Sequence, residues 1–538
     1  MRRIFLFILF FVTINRVFAF DFGIDSGVEF EVGAISDAEL VGERMRSKWQ
    51  PLDQLPKAFL DEPDIRQLKG KHIILYTDVK SCAAVDNLPQ IFDQMVSELC
   101  VYFGLDLGRY DKFFVRGFLI DDMVKFSKYD VLGGMKELRY GYSLRNQIWV
   151  RYQSTEYYQR HLFLHEGVHA FMFYAFGKST PFWYCEGMAE MLATHKIDDG
   201  KLRLGCFPSN VSATAGLGRI ETIQRLVKNF DAAIDNKIDG KVDLNIGGNK
   251  VGVKVGNKII NDVKDMGVID VGDLGYLFSL GVDGTGERVE LYAMCWGFVM
   301  FCDNHPRYRA AFRRLAFRLT DSNTDFARRF IMLISCERKI DVEAARLSLE
   351  VDWNDFRRNI CYGYDFSRAA IDFNCQLGAG ANLNNVSIAN NVTKNNDNNL
   401  SSEVVIRADR GWQCSGLRLE ANRRYNFTAT GSFQLADKPA IWKSEANGIT
   451  IKYNQGAPVG KLCAMIISDV EAKKLESKLQ VLNSRKSLLP EYKIIGANAT
   501  WKPQKNGLLF LKINDPANSL KDNNGNISVK IQDEKEKK

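Results

Sequence analysis

The chain has 538 residues, which at roughly 100 to 200 residues per domain predicts three to five domains, or two large ones with insertions. Hydrophobic residues make up 46% and charged residues 25%, so collagen-like, coiled-coil and wholly disordered classes are excluded. Lys plus Arg total 72 against 65 Asp plus Glu, and this formal charge of +7 is not gathered in one block, so no nucleic-acid partner is implied.

Residues 1–19 read as a signal peptide: Arg2 and Arg3, an apolar run from Ile4 to Ile14, then Val17-Phe18-Ala19 as a small-residue cleavage pattern. The run is broken at Asn15 and Arg16, too early to anchor the chain, and no later stretch could span a bilayer once the signal is removed. The protein is therefore expected to be secreted or periplasmic, which suits a hydrolase working without ATP or NADH. Eleven cysteines without a CxxC pair leave at least one thiol free. Cys100, Cys295 and Cys302 fall in apolar helical patterns, whereas Cys361 with Cys375 reads as a disulfide in a loop-rich segment.

Residues 20–150 carry a mixed α/β pattern. HIILYTD, FFVRGFLI and IWVRY (Ile148 to Tyr152) read as strands, with a helix from Asn87 to Phe103 and a short one near Asp121 to Tyr129. Residues 151–375 are mostly helical: Glu156 to Phe176, Trp183 to His195, Arg219 to Phe230, Glu287 to Cys302, Tyr308 to Leu319, Thr324 to Ser335 and Val342 to Leu349. KVDLNIGGNKVGVKVGNKII suggests a β-hairpin insertion near 234–269. Residues 376–402 form an Asn-rich linker without aromatics. Short β-type runs then fill 403–534, as in a sandwich or barrel. The expected fold class is α+β multidomain, mixed α/β then helical, followed by an all-β sandwich.

Three of the six histidines fall in RHLFLHEGVHAFM. On a helix His165 and His169 lie one turn apart on one face, with Glu166 beside them, the HExxH arrangement. Two imidazoles suit zinc, which takes a third protein ligand and keeps a fourth position for water. Seventeen residues after His169, Glu186 and Glu190 in PFWYCEGMAEMLATH are again one turn apart. Glu186 is the natural third ligand, and Glu190 a carboxylate that holds an imidazole N–H. His161, one turn before His165, reads as a surface residue or an outer partner. Cys185, Trp183 and Tyr184 read as packing.

These residues resemble the gluzincin metallopeptidases, in which HExxH is followed by a Glu on a second helix with an acidic residue four positions on. The resemblance covers about Gln147 to His195, and YAMCWGFVMFC (Tyr292 to Cys302) resembles a later helix of such proteins. It implies peptide-bond hydrolysis of a protein or peptide substrate, with a zinc-activated water and Glu166 as general base. It also implies an oxyanion donor from outside the two helices, for which Tyr292 is favoured over His305 and His195. IWVRY would be the edge strand that holds an extended peptide.

Beyond the linker, GWQCSGLRLEANRRYNFTATGSF, NGITIKYNQGAPVGKLCAMI and INDPANSLKDNNGNISV are similar to the β-sandwich of calcium-dependent galactophilic lectins of the PA-I type. The resemblance implies a Ca²⁺ held by the side chains of Asp515, Asp522 and Asn523 and the carbonyl of Ser519, in an oxygen-rich loop. A glycan or cell-surface ligand would follow. The pattern departs at the sugar, where the lectins carry a His-Pro pair and a Gln and this chain has KSEAN before Gly448. The competing functional reading is a catalytically inactive gluzincin-like protein that acts as a carbohydrate- or surface-binding module.

Overall fold

A computed structural model describes residues 54–177, 181–238, 254–255, 258–259, 274–279, 289–319, 323–373, 392–394, 400–468 and 490–534. The signal-peptide segment, Cys375 and most of the Asn-rich stretch lie outside them. The described chain is α+β, with one mixed sheet, a helical region and a strand-rich C-terminal part.

Strands β1 (Arg66–Lys69), β2 (Ile73–Thr77), β3 (Val115–Ile120), β4 (Gly141–Leu144) and β5 (Gln147–Arg151) form a sheet of order β1-β2-β3-β5-β4. β2, β3 and β5 run parallel, and β1 and β4 pair antiparallel at the two edges. Successive side chains of a strand point to opposite faces. Ile73, Leu75, Val115, Leu119, Ile148 and Val150 therefore enter one core, while Tyr76, Phe118, Ile120 and Trp149 enter another with Phe59 and Phe126. β3 is buried at all six positions, which is why it reads as a continuous apolar run. One expectation is corrected here. IWVRY is not the edge strand, because β5 lies between β3 and β4, and among the described residues the edge on that side is GYSL of β4.

Helix α1 (Leu88–Phe103) and helix α2 (Glu156–Phe176) both pack on the first of these cores. Each ends on a glycine in the left-handed region, Gly104 at φ 66° and Gly177 at φ 74°. Helix α3 (Phe182–Ala193) packs on α2 and stops at Thr194, whose extended backbone leaves His195 outside the helix. A hairpin of β6 (Lys196–Asp198) and β7 (Lys201–Arg203) follows. Helix α4 (Arg219–Ile238) and helix α5 (Val289–Asn304) pack on each other, and α5 also lies along α3. Of the range 234–269 expected to hold a hairpin insertion, residues 234–238 are instead the end of helix α4, and the strands described are the two-residue β8 (Lys254–Val255) and β9 (Lys258–Ile259), which pair antiparallel.

Helix α6 (Arg309–Leu315), helix α7 (Asn323–Arg338) and helix α8 (Val342–Asn359) complete the helical region. α8 outruns the stretch expected from sequence because Val351, Trp353 and Phe356 continue its buried face.

Two short strands fall at the Asn-rich stretch, β10 (Val392–Lys394) and the start of β11 (Leu400–Arg407). The remaining strands are β12 (Gln413–Leu419), β13 (Arg424–Thr430), β14 (Phe433–Ala436), β15 (Trp442–Ser444), β16 (Asn447–Asn454), β17 (Ala457–Ser468), β18 (Glu491–Ile494), β19 (Asn498–Trp501), β20 (Gly507–Ile513) and β21 (Asn524–Glu534). One sheet runs β10-β11-β21-β13-β19 with β14 and β15 attached, and another runs β12-β20-β17-β16 with β18 on β17. Both line one core through Phe427, Ile527, Val529, Leu462, Ile466 and Leu511.

β17 and β20 are buried on their other face too, where Met465, Ile467, Leu508 and Phe510 meet Val351 and Ile371. A disulfide engages Cys414, whereas Cys361 is a free thiol, which overturns its expected pairing with Cys375. The chain at Asp372 runs beside Trp412 and Cys414, bonding to both backbones, and so leaves Cys361 behind at the end of α8.

Candidate metal centre

The lower part of the site is built on α2. Its four-residue spacing brings His165 and His169 onto one face, with ring centroids 4.7 Å apart and Nε2 atoms 3.1 Å apart. α3 crosses this face and presents Glu186, whose Oε2 lies 3.4 Å from each of those nitrogens. Zinc bonds of about 2.0 to 2.1 Å in tetrahedral geometry put ligand atoms about 3.3 Å apart, so these three atoms fit the ion. His169 and Glu186 keep 15% and 18% of their side-chain surface open, against 8% for His165.

A second cluster shares His165. Glu190, one turn after Glu186, places Oε1 3.5 Å from His165 Nδ1 and Oε2 3.4 Å from Nε2 of the fully buried His161. Its Oε2 also accepts from Arg219 Nη2 at 2.8 Å and Nε at 3.1 Å. The guanidinium already supplies the positive charge that Glu190 needs, so the first cluster is the better home for a cation. Burial favours the neutral form of Glu190, but Arg219 first and then the His161 and His165 rings outweigh it and hold the carboxyl well below its usual range. Burial likewise opposes ionisation of Glu186 and is outweighed by His169 and His165.

Glu166 is buried beneath β4, and burial pushes its carboxyl up, against the pull of His165 and His169. Gly141 makes this closeness feasible, because a Cβ there would stand 2.8 Å from Glu166 Cγ. Tyr292, in the first turn of α5, lies across the site with its ring 6.5 Å from that of His165 and 6.0 Å from that of Phe182. Burial first, then the carboxylates of Glu186, Glu190 and Glu166, push its phenol up, so it stays a proton donor at neutral pH.

The other oxyanion candidates lie elsewhere. His195 stacks on Tyr157 and bonds Ala193 O through Nδ1, and His305 packs on Phe301 and Tyr308 beyond the far end of α5. Sequence reasoning missed the contact of Cys185 Sγ with His169 Nδ1 at 3.3 Å, the Arg219 clamp and the Gly141 roof. Cys185 does sit one position before Glu186, but nothing in the pattern around Gly141 or Arg219 signalled a site.

In the C-terminal part, Asp515 and Asn523 are brought together. Asn523 Nδ2 donates to Asp515 Oδ2 at 2.9 Å and to Ala408 O at 3.0 Å, while its buried Oδ1 has no hydrogen-bond partner. Burial pushes the Asp515 carboxyl up to about 6. The backbone carbonyl of the half-buried Asp522 accepts from Gln434, and the Ser519 hydroxyl donates to Asn518 at 3.3 Å. An orphaned amide oxygen beside a buried carboxylate suits an oxygen-seeking cation. The surrounding loop, however, is packed on the helical region. Ala517 and Leu520 join the main core, and Asn518 donates to Tyr362 O.

No family model and no curated protein matches the chain. Among solved structures it is similar to one described as "EclA N-terminal domain; PllA-like lectin", at 19% identity and a TM-score of 0.17, over 24% of this chain and 95% of that one. A TM-score of that size establishes no shared fold. Among the described residues no helix is long and apolar enough to cross a membrane.

Proposed function

We propose that the chain is an exported zinc metallopeptidase of gluzincin type whose C-terminal part is a lectin-like β-sandwich. The observation that carries the reading is the triangle of His165 Nε2, His169 Nε2 and Glu186 Oε2, with sides of 3.1, 3.4 and 3.4 Å. Zinc bound there would lower the pKa of a water molecule toward 7 and polarise the scissile carbonyl.

The chain's own residues would do the rest. Glu166, buried next to the two rings, takes the proton of the attacking water and returns it to the leaving amine. The Tyr292 phenol donates to the oxygen on which charge develops. Among the described residues β4 is the sheet's edge beside Glu166, where an extended peptide would add as a further strand, and its exposed Tyr142 and Leu144 would flank the bound chain. In the C-terminal part, Asp515 and Asn523 are the side chains best suited to hold Ca²⁺, and a glycan or cell-surface ligand would be the partner.

Metal content and proteolysis of a denatured protein mixture test the reading. The mature chain and its Glu166→Gln variant should each carry about one zinc, and the variant should lose about 10²- to 10⁴-fold in activity. A zinc-loaded wild type that cleaves no peptide would overturn the hydrolytic assignment.

A further inference from the structure

We propose that Cys185 is a positioning residue whose sulfur accepts the Nδ1–H of His169 and so aims Nε2 of that ring at the point shared by His165 and Glu186. This deepens the zinc reading above and rests on it.

The two ligand imidazoles need separate anchors, because a ring held only through its Cβ can turn about χ2 and carry Nε2 off target. At His165 the group facing Nδ1 is the Glu190 carboxylate, at an ion-pair distance of 3.5 Å and without a formed hydrogen bond. His169 has Cys185 at the corresponding atom, with Sγ 3.3 Å from Nδ1. Sulfur faces the ring nitrogen turned away from the ligand triangle, so Cys185 cannot join the same ion as a fourth ligand. Its place on α3 is adjacent to Glu186, so one turn of helix carries both a metal ligand and the group that orients another ligand. The thiol is only 5% exposed, which shields the contact from competing water.

The choice of sulfur has an electrostatic consequence. Glu166, Glu186 and Glu190 already crowd the site with carboxylates, as their mutual influence on Tyr292 records. A fourth carboxylate at His169 would add repulsion and make the ring more basic. Sulfur is a weak acceptor that fixes the tautomer at lower electrostatic cost.

Zinc affinity, measured by competition with a chromophoric chelator, tests the proposal in the full chain. Cys185→Ala and the bulkier apolar Cys185→Val should bind zinc about 10- to 100-fold more weakly than wild type. Cys185→Ser, which restores an acceptor, should recover to within about threefold, and Cys302→Ala, a buried thiol elsewhere, should leave affinity unchanged. Wild-type affinity in the Ala and Val variants overturns the proposal, as does equal weakening in Ala, Val and Ser, which would show that an acceptor at this position does not set the affinity. A wild-type chain that takes up no zinc overturns this proposal and the metallopeptidase reading together, whereas the first two outcomes leave the metallopeptidase reading standing.

Discussion

His195 shows how a single side chain near the site can govern stability without taking part in the chemistry. Burial holds its imidazole at about 4, against 6.5 for the free ring, with the nearby His161 and Arg160 adding to the effect against the Ala193 carbonyl. The folded state therefore resists a proton that the unfolded chain accepts. The stability this confers is complete above pH 6.5 and is lost as pH falls toward 4, because the unfolded chain binds more protons in that window. His195→Gln removes the titration while leaving a group that can still reach Ala193 O. Over that window the variant should lose less stability than wild type, by on the order of 3 kcal/mol at one pKa unit per 1.36 kcal/mol. Urea unfolding of chelator-treated protein from pH 4 to 7 measures the difference, and parallel curves would sink the argument. The same residue explains why Tyr292 is left as the phenolic donor: His195 is committed to a backbone carbonyl and a stacked tyrosine.

At the level of elements, the site is where one strand, β4, lies on one helix, α2, while a second helix, α3, closes from the side. Gly141 sets the distance between strand and helix. Gly141→Ala would put a methyl 2.8 Å from Glu166 Cγ and push the general base aside, without touching the zinc ligands. The variant should keep its metal and lose about 100-fold in kcat/KM, since displacement of about 1 Å costs that much. Loss of zinc in step with activity would show instead that the strand shapes the metal site. Gly187 plays a comparable part between α3 and α5, where a Cβ would meet Val299 at 2.5 Å and the Cys295 carbonyl at 2.8 Å.

These contacts mark the limit of what the sequence could disclose. HEGVH and the Glu186–Glu190 pair were legible because helical periodicity alone puts their residues on one face and the chemistry of the side chains does the rest. The parallel strands were legible as apolar runs. β4 was not, because GYSL is short, starts with glycine and alternates only half-buried with exposed positions, so it reads as part of the loop before IWVRY. The Arg219 clamp was hidden for another reason. It spans 29 residues to Glu190, and a buried ion pair of that separation leaves no periodic trace.

On the scale of the whole molecule, the linker-like composition of 376–402 invites a picture of two tethered bodies, but the described interface argues for one. Val351 and Ile371 of the helical region pack against Trp412, Met465, Ile467, Leu508 and Phe510, a cluster buried throughout. Polar groups at its border are paired across it. Trp412 Nε1 donates to the buried Asp355 carboxylate at 2.9 Å, and Gln455 Nε2 donates to Arg358 O at 2.8 Å. Arg307, held by Asp352, lies over the Phe373 ring at 4.7 Å. An interface that is apolar at its centre and hydrogen-bonded across its rim should behave as a core divided in two, with halves that stay together when the chain between them is cut. A protease site placed between residues 376 and 390 and cleaved under reducing conditions, which open the Cys414 disulfide, should yield two fragments that co-elute at the mass of the intact chain. Their thermal unfolding should follow one transition whether read by zinc release or by the circular dichroism of the C-terminal strands. Fragments that separate on a sizing column would mean that the C-terminal part is an independent module. In that case the loop at Asp515 and Asn523, which now rests on the helical region, would be free to meet a ligand in solution.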